Sequence, residues 1–493
     1  MAHNMNPFDF VPFPAEKPVL KTIAEWLKSG SLLTGWIESQ ITALTPVHIV
    51  GRQEADGSGR KIIRSHFYRR HGQAYIPASS IRGMLRAFIE AVCNGWAAQL
   101  TTYFKKEPEK HQIGFQVLDS REELEKKECL NLIDPEFREN HFALPDGFSM
   151  PQKLKEEESE DMKVDLASFL FGYIPPKGDG FHGRISIEDA AISPGNLSFN
   201  GDTFRIPDIQ SDAFMGGGKP SASSWWYQKA YKIRLNRNNM PEFIGSGYRG
   251  RKFYYHQDPK KCLEWYFDES KWPRDTRRPL YSCPIECLEE KTSSEPFRIY
   301  FEGLPAELLN LLLFTFSPGK RIRHKLGYGK AYGYGSIAFT LHNGQLRTDT
   351  GKTDLAIKQM VPDIHISLLN KDKRERPKWC EFLHLSSLAA MAKILCFEPE
   401  STIIFSYPPF STNAQFPGFL PSVRRGKLNA ALIAQQKNAL DQDNEFLIDD
   451  AGAKLIAKKL ASKNVRPALH FEVYRETSKD YLTIEKRTLE NAL

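Results

Sequence analysis

The residues whose types and spacing promise chemistry gather in one stretch, SPGKRIRHKLGYGKAYGYGS, residues 317–336. From Gly319 to Gly335 it holds five lysines and arginines, five glycines, three tyrosines and no acidic residue. Lys320, Arg321, Arg323, Lys325 and Lys330 offer charge to phosphates. Gly327, Gly329, Gly333 and Gly335 let another backbone come close and leave N–H groups open to an anion. Tyr328, Tyr332 and Tyr334 are rings on which bases can stack, a contact worth about 1–3 kcal/mol per base and tolerant of sequence. The combination, with His324 among the cations, points to single-stranded nucleic acid, whose bases are splayed out and reachable. A P-loop is excluded, because no G-x-x-x-x-G-K-[ST] lies here. The competing use is a glycine-rich hairpin that packs its tyrosines on a sheet.

A second anion site is expected at the start of YIPASSIRGMLRAFIEAVCNG (75–95). Ile81, Leu85, Phe88, Ile89 and Val92 recur at helical spacing, Ser79 or Ser80 can cap the start, and Asn94-Gly95 ends it. Free N–H groups at that start, flanked by the two hydroxyls, attract a phosphate. Arg82 and Arg86 are four apart and share one face. Gly83 costs about 1 kcal/mol in a helix interior relative to alanine, which suggests that another backbone comes close there. The plainer alternative is a capped amphipathic helix with solvated arginines.

Acid–base and metal chemistry have thinner support. The polar loop GRQEADGSGR (51–60) carries Asp56, with Glu54 behind it. A carboxylate there can hold Mg²⁺ or align a 2′-hydroxyl for attack on the adjacent phosphate. A solvated Asp-Gly turn is the commoner use of that dipeptide. His66, His71 and His324 lie in or near the basic motifs and titrate near neutrality, as proton transfer requires. His256, Cys262, Cys283 and Cys287 form a candidate zinc set. The C-x-x-x-C spacing is looser than the paired C-x-x-C of zinc sites, and buried cysteine as a small hydrophobe is the alternative. Trp225, Trp226, Tyr227, Phe253, Tyr254 and Tyr255 read as core or partner surface before base-stacking platform.

The elements that must position these residues form an α+β pattern. Residues 1–35 read as a leader that packs onto something else, with one short helix in KTIAEWLKSG. Residues 36–50 alternate as a strand broken near Pro46. KIIRSHFYRRHGQAYI reads as a hairpin turning at His71-Gly72. Two charge runs within 119–165 and the mixed stretch 200–295 read as insertions. FRIYFEGL is a strand, PAELLNLLLFTF an apolar helix, and Ile337, Phe339 and Leu341 a closing strand. Residues 345–493 form a C-terminal extension with a candidate helix at KLNAALIAQQKNALDQ. Strands and helices alternate without regular parallel units, so a sheet with helices on one face is expected.

Bulk composition sets the frame. The 493 residues are 41% hydrophobic, enough for a sizeable core. Sixty-seven basic against sixty acidic residues leave a net charge of +7, which suits a polyanion partner without demanding one. An odd count of seven cysteines suggests reduced thiols. No apolar run approaches membrane-spanning length, and the N-terminus lacks a secretory pattern, so a cytoplasmic protein with no membrane partner is expected.

TPVHIVG, the SSIRG helix start, LFGYIPPKGDGFHGRISIEDA and HKLGYGKAYGYGSI occur in that order. The order resembles the RAMP superfamily of CRISPR-associated proteins, in particular the backbone-type subunits of type III effector complexes. NPFDFVPF and GRKFYYHQ resemble a longer, less characterised subfamily. The resemblance implies a ferredoxin-like, RRM-type core over 36–341 with large insertions, as one expanded fold or two in tandem. It implies binding of crRNA and target RNA beside other CRISPR effector subunits. Ser79, Ser80, Arg82, Gly83 and Arg86, then Gly327, Gly329, Lys330, Gly333 and Gly335, fall on the family's RNA-contacting positions. Some members cut target RNA with an aspartate at the place of Asp56, which leaves scaffold and Mg²⁺-dependent endoribonuclease both open. An accessory effector protein docked by the C-terminal extension is the third expectation.

Overall fold

The computed structural model describes residues 3–5, 7–28, 32–55, 57, 62–97, 148, 163–174, 180–199, 204–208, 231–235, 241–245, 250–267, 276–277, 281–348, 351–355, 373–401, 403–406, 410–411 and 445–447. Asp56, the charge run 119–128, Trp225, Trp226, Tyr227 and the helix expected at 427–442 lie outside the described residues.

The organising strand is β1 (Leu32–Ala43), four residues earlier in onset than its sequence pattern suggests. Ile37, Ser39, Ile41 and Ala43 are buried on one side, while Trp36, Glu38, Gln40 and Thr42 emerge on the other, as the two-residue period of a strand requires. The chain crosses through α1 (Ala78–Val92) and returns as β2 (Ile185–Ile187). It then forms β3 (Phe297–Pro305), α2 (Ala306–Phe316), the short β4 (His324–Lys325), β5 (Ser336–Thr348) and β6 (Gly351–Leu355). The sheet order is β2–β3–β1–β5–β4 with β6 on β5, and every pair is antiparallel. Thus β1–α1–β2 straddles β3, and β3–α2–β5 straddles β1. Two interleaved split β–α–β units of this kind are the ferredoxin-like arrangement, and the fold is α+β as expected.

Both crossover helices lie against the buried side of the sheet. Ile81, Leu85, Phe88 and Ile89 of α1 join Ile37, Ile41, Phe297, Ile299 and Phe301 in one core. The second helix, α2, is apolar almost all round, with Leu308, Leu309, Leu311, Leu312, Leu313 and Phe314 buried. A helix without a polar face needs cover on more than one side. The extra cover comes from beyond residue 345, where Trp379 packs on Phe314 with ring centroids 5.0 Å apart. There too α3 (Leu385–Ile394) buries Leu388 and Met391, and the His384 N–H donates to the Val92 carbonyl at the end of α1 (2.7 Å). Residues 379–395 therefore belong to the core, so part of the expected C-terminal extension packs into it.

The N-terminal segment packs against the rest of the chain. Phe8–Val11 pairs with Arg251–Tyr254 and buries Phe8, Phe10 and Val11. Ile23–Leu27 is a short helix with a reciprocal Thr22–Glu25 capping box. Residues 3–5 run parallel to 404–406. The polar stretch after residue 50 is more ordered than a loop, since Val50–Ala55 pairs with Ile62–Phe67. Arg69–Arg70 and Gln73–Ile76 make the expected tight hairpin, with His71 at φ 49° and Gly72 at φ 82° in the turn. No helix among the described residues is long and apolar enough to cross a membrane.

Candidate nucleic-acid interface

The glycine-rich stretch turns mostly inward. Its path from β4 to β5 is pressed onto residues 45–48: the Gly335 N–H donates to the Pro46 carbonyl (2.9 Å), the Tyr328 N–H to the His48 carbonyl (2.9 Å), and the Thr45 hydroxyl to the Gly333 carbonyl (2.8 Å). Gly335 has φ +80°, and a methyl group there would fall on the Leu326 carbonyl oxygen. Gly333 has φ +94° and abuts the backbone of Gln257 and Pro259. These glycines are consumed by the close approach of the protein's own backbone, not left open to a ligand, and Gly329 lies against the side chains of Ile206 and Tyr334.

The side chains divide likewise. Tyr332 and Tyr334 are fully buried; the Tyr334 hydroxyl donates to the Arg205 carbonyl (3.0 Å) and accepts from the Arg205 N–H (3.1 Å). Neither is a stacking platform, which corrects the expectation for those two rings. His324 lies beneath α1, edge-on to Phe88, with Nε2 2.6 Å from the Thr315 carbonyl, and burial pushes its pKa down to about 4. Lys325 is buried and donates from Nζ to the carbonyls of Gly333 (3.0 Å) and Tyr334 (2.9 Å). Burial pushes its pKa down to about 7, so it carries only part of a positive charge at neutrality. Arg323 donates to the carbonyls of Gly319, Lys320 and Ile322 and so closes its own turn. Lys330 donates to the Gly327 carbonyl (3.0 Å), and burial lowers its pKa. In side-chain terms His324, Lys325 and Arg323 are structural, contrary to expectation, because inward-turned carbonyls need donors.

What stays at the surface is Lys320, Arg321 and Tyr328. Tyr328 is 44% exposed and stands edge-on to His48 at 6.3 Å. Lys320 and Arg321 border a cleft of about 520 Å³ shared with Phe397 and Glu398, where Arg321 Nη1 lies 3.6 Å from Glu398 Oε1.

The helix start also differs from expectation. Pro77, not a serine, is the N-cap and supplies no side-chain bond. The Ala78 N–H instead donates to Asp189 Oδ1 (2.7 Å), while Asp189 Oδ2 pairs with Arg70 Nη2 (2.7 Å). A carboxylate from a distant segment thus already answers the positive helix end. Arg82 donates to the Phe171 carbonyl. Arg86 pairs with Glu90 (2.7 Å) and donates to the Gly172 carbonyl and the Ser168 hydroxyl. The shared face expected of these arginines is real, but it grips the end of the short helix Leu166–Phe171. Burial lowers the Arg82 pKa, with Arg86 adding repulsion. Ser79 and Arg82 remain exposed, Ser80 and Gly83 half-buried. Apart from the helix's own neighbouring backbone, no atom of the described residues lies within 4 Å of where a Gly83 methyl would sit.

Between loop and helix start runs the first strand of the tight hairpin, whose arginines carried no site expectation. The Tyr68 N–H donates to the Ile49 carbonyl, next to the residue that holds Tyr328. Arg69 makes a two-bond pair with Glu286 at 2.6 Å each, and Arg70, 54% exposed, reaches Asp189. The signal was the adjacent pair Arg69-Arg70 ahead of a tight turn. On the neighbouring hairpin His66 Nε2 lies 3.0 Å from Glu54 Oε1, a bond that holds the Glu54 carboxyl below its ordinary range. The expected zinc set does not assemble. His256 bonds through both ring nitrogens, to Ser336 Oγ (2.8 Å) and the Arg323 carbonyl (3.1 Å). Burial pushes the Cys262 and Cys287 thiols up, away from thiolate. No three metal-ligating side chains come together among the described residues.

No curated protein matches the chain. The sequence model of the RAMP superfamily matches residues 40–338, which is 299 of the 493 residues and spans β1 to β5 with the loop and helix start just described. With the interleaved ferredoxin-like sheet beneath that span, the chain belongs to the RAMP superfamily of CRISPR-associated, RNA-binding proteins.

Proposed function

We propose that the chain is a guide-RNA-binding subunit of a type III CRISPR effector complex. It holds the RNA backbone along the surface that joins Tyr328, Arg70 and the exposed first turns of α1. The observation that carries this reading is the open space over Gly83, with Ser79 and Arg82 exposed beside it. A sugar–phosphate chain can pass close to helix backbone there while arginines and hydroxyls meet its phosphates. The loop contributes through Tyr328 at its outer edge, and its buried part, with Gly327 against the His48 carbonyl, holds that edge in place. Purification of the native chain from its own cells tests the reading. Short guide RNAs and further effector subunits co-purify at low salt, and the RNA dissociates as salt rises. Chain recovered free of RNA at low salt overturns it.

A second reading, cleavage of guide-paired target RNA, draws on the Glu54–His66 pair in the hairpin whose connection carries Asp56. In that reading Asp56 holds Mg²⁺ or aligns the attacking 2′-hydroxyl. Labelled target RNA incubated with the assembled complex and Mg²⁺ decides it. The wild type cuts and Asp56→Ala does not, whereas equal cleavage by both removes Asp56.

A further inference from the structure

Arg82, Arg86 and Glu90 stand four residues apart and so form one row along α1. The row runs inward: Arg82 is exposed, Arg86 half-buried and Glu90 only 3% exposed. Arg86 Nε donates to Glu90 Oε1 (2.7 Å). The far side of the same guanidinium crosses to the short helix Leu166–Phe171, donating to Ser168 Oγ (3.0 Å) and the Gly172 carbonyl. Arg82 takes the neighbouring carbonyl, that of Phe171. Asp165, fully buried, holds the other end of that helix, accepting from the N–H groups of Ser168 (3.0 Å) and Trp96 (2.9 Å). Arg251 completes the group: it donates to the Gly95 carbonyl, and its Nε and Nη1 have no partner among the described residues.

Two carboxylates and two guanidiniums are a costly filling for a core. Taking a charge out of water costs several kcal/mol, and a well-packed apolar side chain in its place is often neutral or stabilising. The cost shows at Glu90, where burial pushes the carboxyl pKa up to about 7 against the pull of Arg86. Packing alone therefore does not account for Glu90. What a leucine there could not do is aim Arg86. Gly172 ends the short helix at φ +79° with no room for a side chain. The chain then enters a loop closed at its base by Tyr173 and Phe181, each N–H donating to the other's carbonyl (2.8 and 2.7 Å). Arg86 and Arg82 hold this turn against the first half of α1.

We infer that Glu90 is a positioning residue for RNA: it fixes Arg86 on Ser168 and Gly172, and the turn held in this way fixes Arg82 beside Gly83. The inference rests on the RNA-binding reading above, since Arg82 and Gly83 lie on the surface where that reading places the sugar–phosphate chain. Without Glu90, Arg86 is free to turn outward. The Phe171–Gly172 turn then loses one of its two arginines, and Arg82 loses a fixed acceptor.

The test uses the full chain and a fluorescent oligouridine, with thermal midpoints measured beside affinities. E90L, close in size but unable to accept a hydrogen bond, lowers affinity about threefold to tenfold at temperatures where it is folded. R86M does the same, and E90L/R86M binds no more weakly than either, because both changes break one contact. E90Q, which keeps an oxygen for Arg86 Nε, binds as wild type does. A side chain with only a structural role would shift midpoints and leave affinity alone. Wild-type affinity in E90L overturns the inference. So does a loss that E90Q fails to repair, or losses that add fully in the double variant. Should E90L fail to fold, hydrogen exchange of the wild type decides: oligouridine slows exchange at the Gly172 and Tyr173 amides, and unchanged exchange there overturns the inference. A wild type that binds no oligouridine sinks the RNA reading itself, which separates the two failures.

Discussion

Gly83 and Gly335 both stand among basic residues, and both looked like places where a ligand backbone approaches. Their surroundings are opposite. Gly83 lies in regular helix with nothing within 4 Å of an added methyl, whereas Gly335 sits at φ +80° against the Leu326 carbonyl. The cations follow the same division. Those near Gly335 are buried against the carbonyls they satisfy, as Lys325 is, while Arg82 near Gly83 donates to the Phe171 carbonyl and still stays exposed. A glycine-rich basic motif can thus be read by its chemistry and still be spent on building the fold. The RNA-binding surface proposed above lies beside it.

The sharpest way to break this comparison is Gly335→Ala. Strained φ and a backbone clash together cost about 3 kcal/mol or more, read as a large fall in thermal midpoint or loss of folded protein. A variant as stable as wild type would mean that the loop is not held as described. The surface cations come next. Lys320→Glu with Arg321→Glu weakens single-stranded RNA binding about tenfold and flattens its salt dependence, while the melting curve stays within about 0.5 kcal/mol of wild type.

Tyr334→Phe removes both bonds to the Arg205 backbone and costs about 1–2 kcal/mol of stability with no change in RNA affinity; lowered affinity at full stability would return the ring to the interface. Lys325 gives a pH signature. Its folded pKa of about 7 lies below the ordinary 10.5, so between those values the unfolded chain binds a proton that the folded chain does not. Stability from this group therefore rises as pH climbs from 7 to 10.5. Lys325→Met removes that slope, which thermal midpoints across the window measure. The smallest effect belongs to Gly83→Ala, which stabilises the helix by up to about 1 kcal/mol and weakens RNA binding if a sugar–phosphate chain passes there.

Much of the scaffold was legible because hydrophobic period reports it directly. Ile81, Leu85 and Phe88 marked α1, and the alternation from Trp36 to Ala43 marked β1. Period says which side of an element is buried but not which distant segment lies against it. Asp189 could not be read as the partner of the Ala78 N–H, nor Phe171 and Gly172 as acceptors for Arg82 and Arg86, since each pair meets only through the tertiary fold. The alternation in YGKAYGYG gave no hint that Tyr328 faces out while Tyr332 and Tyr334 face in; that is set by docking onto residues 45–48. Residues 383–395 carry helical spacing, yet they lacked a motif to tie them to the core that α3 completes.

The sheet's central strand has a consequence for synthesis. The strands on either side of β1 are made some 250 residues after it, as the pairings Ser39–Phe297 and Ala43–Ile337 show. At ordinary elongation rates it waits roughly ten seconds to a minute with both edges bare. The nascent chain must be shielded from self-association over that interval, so yield in a foreign host is set by translation speed and chaperone supply as much as by the stability of the finished protein.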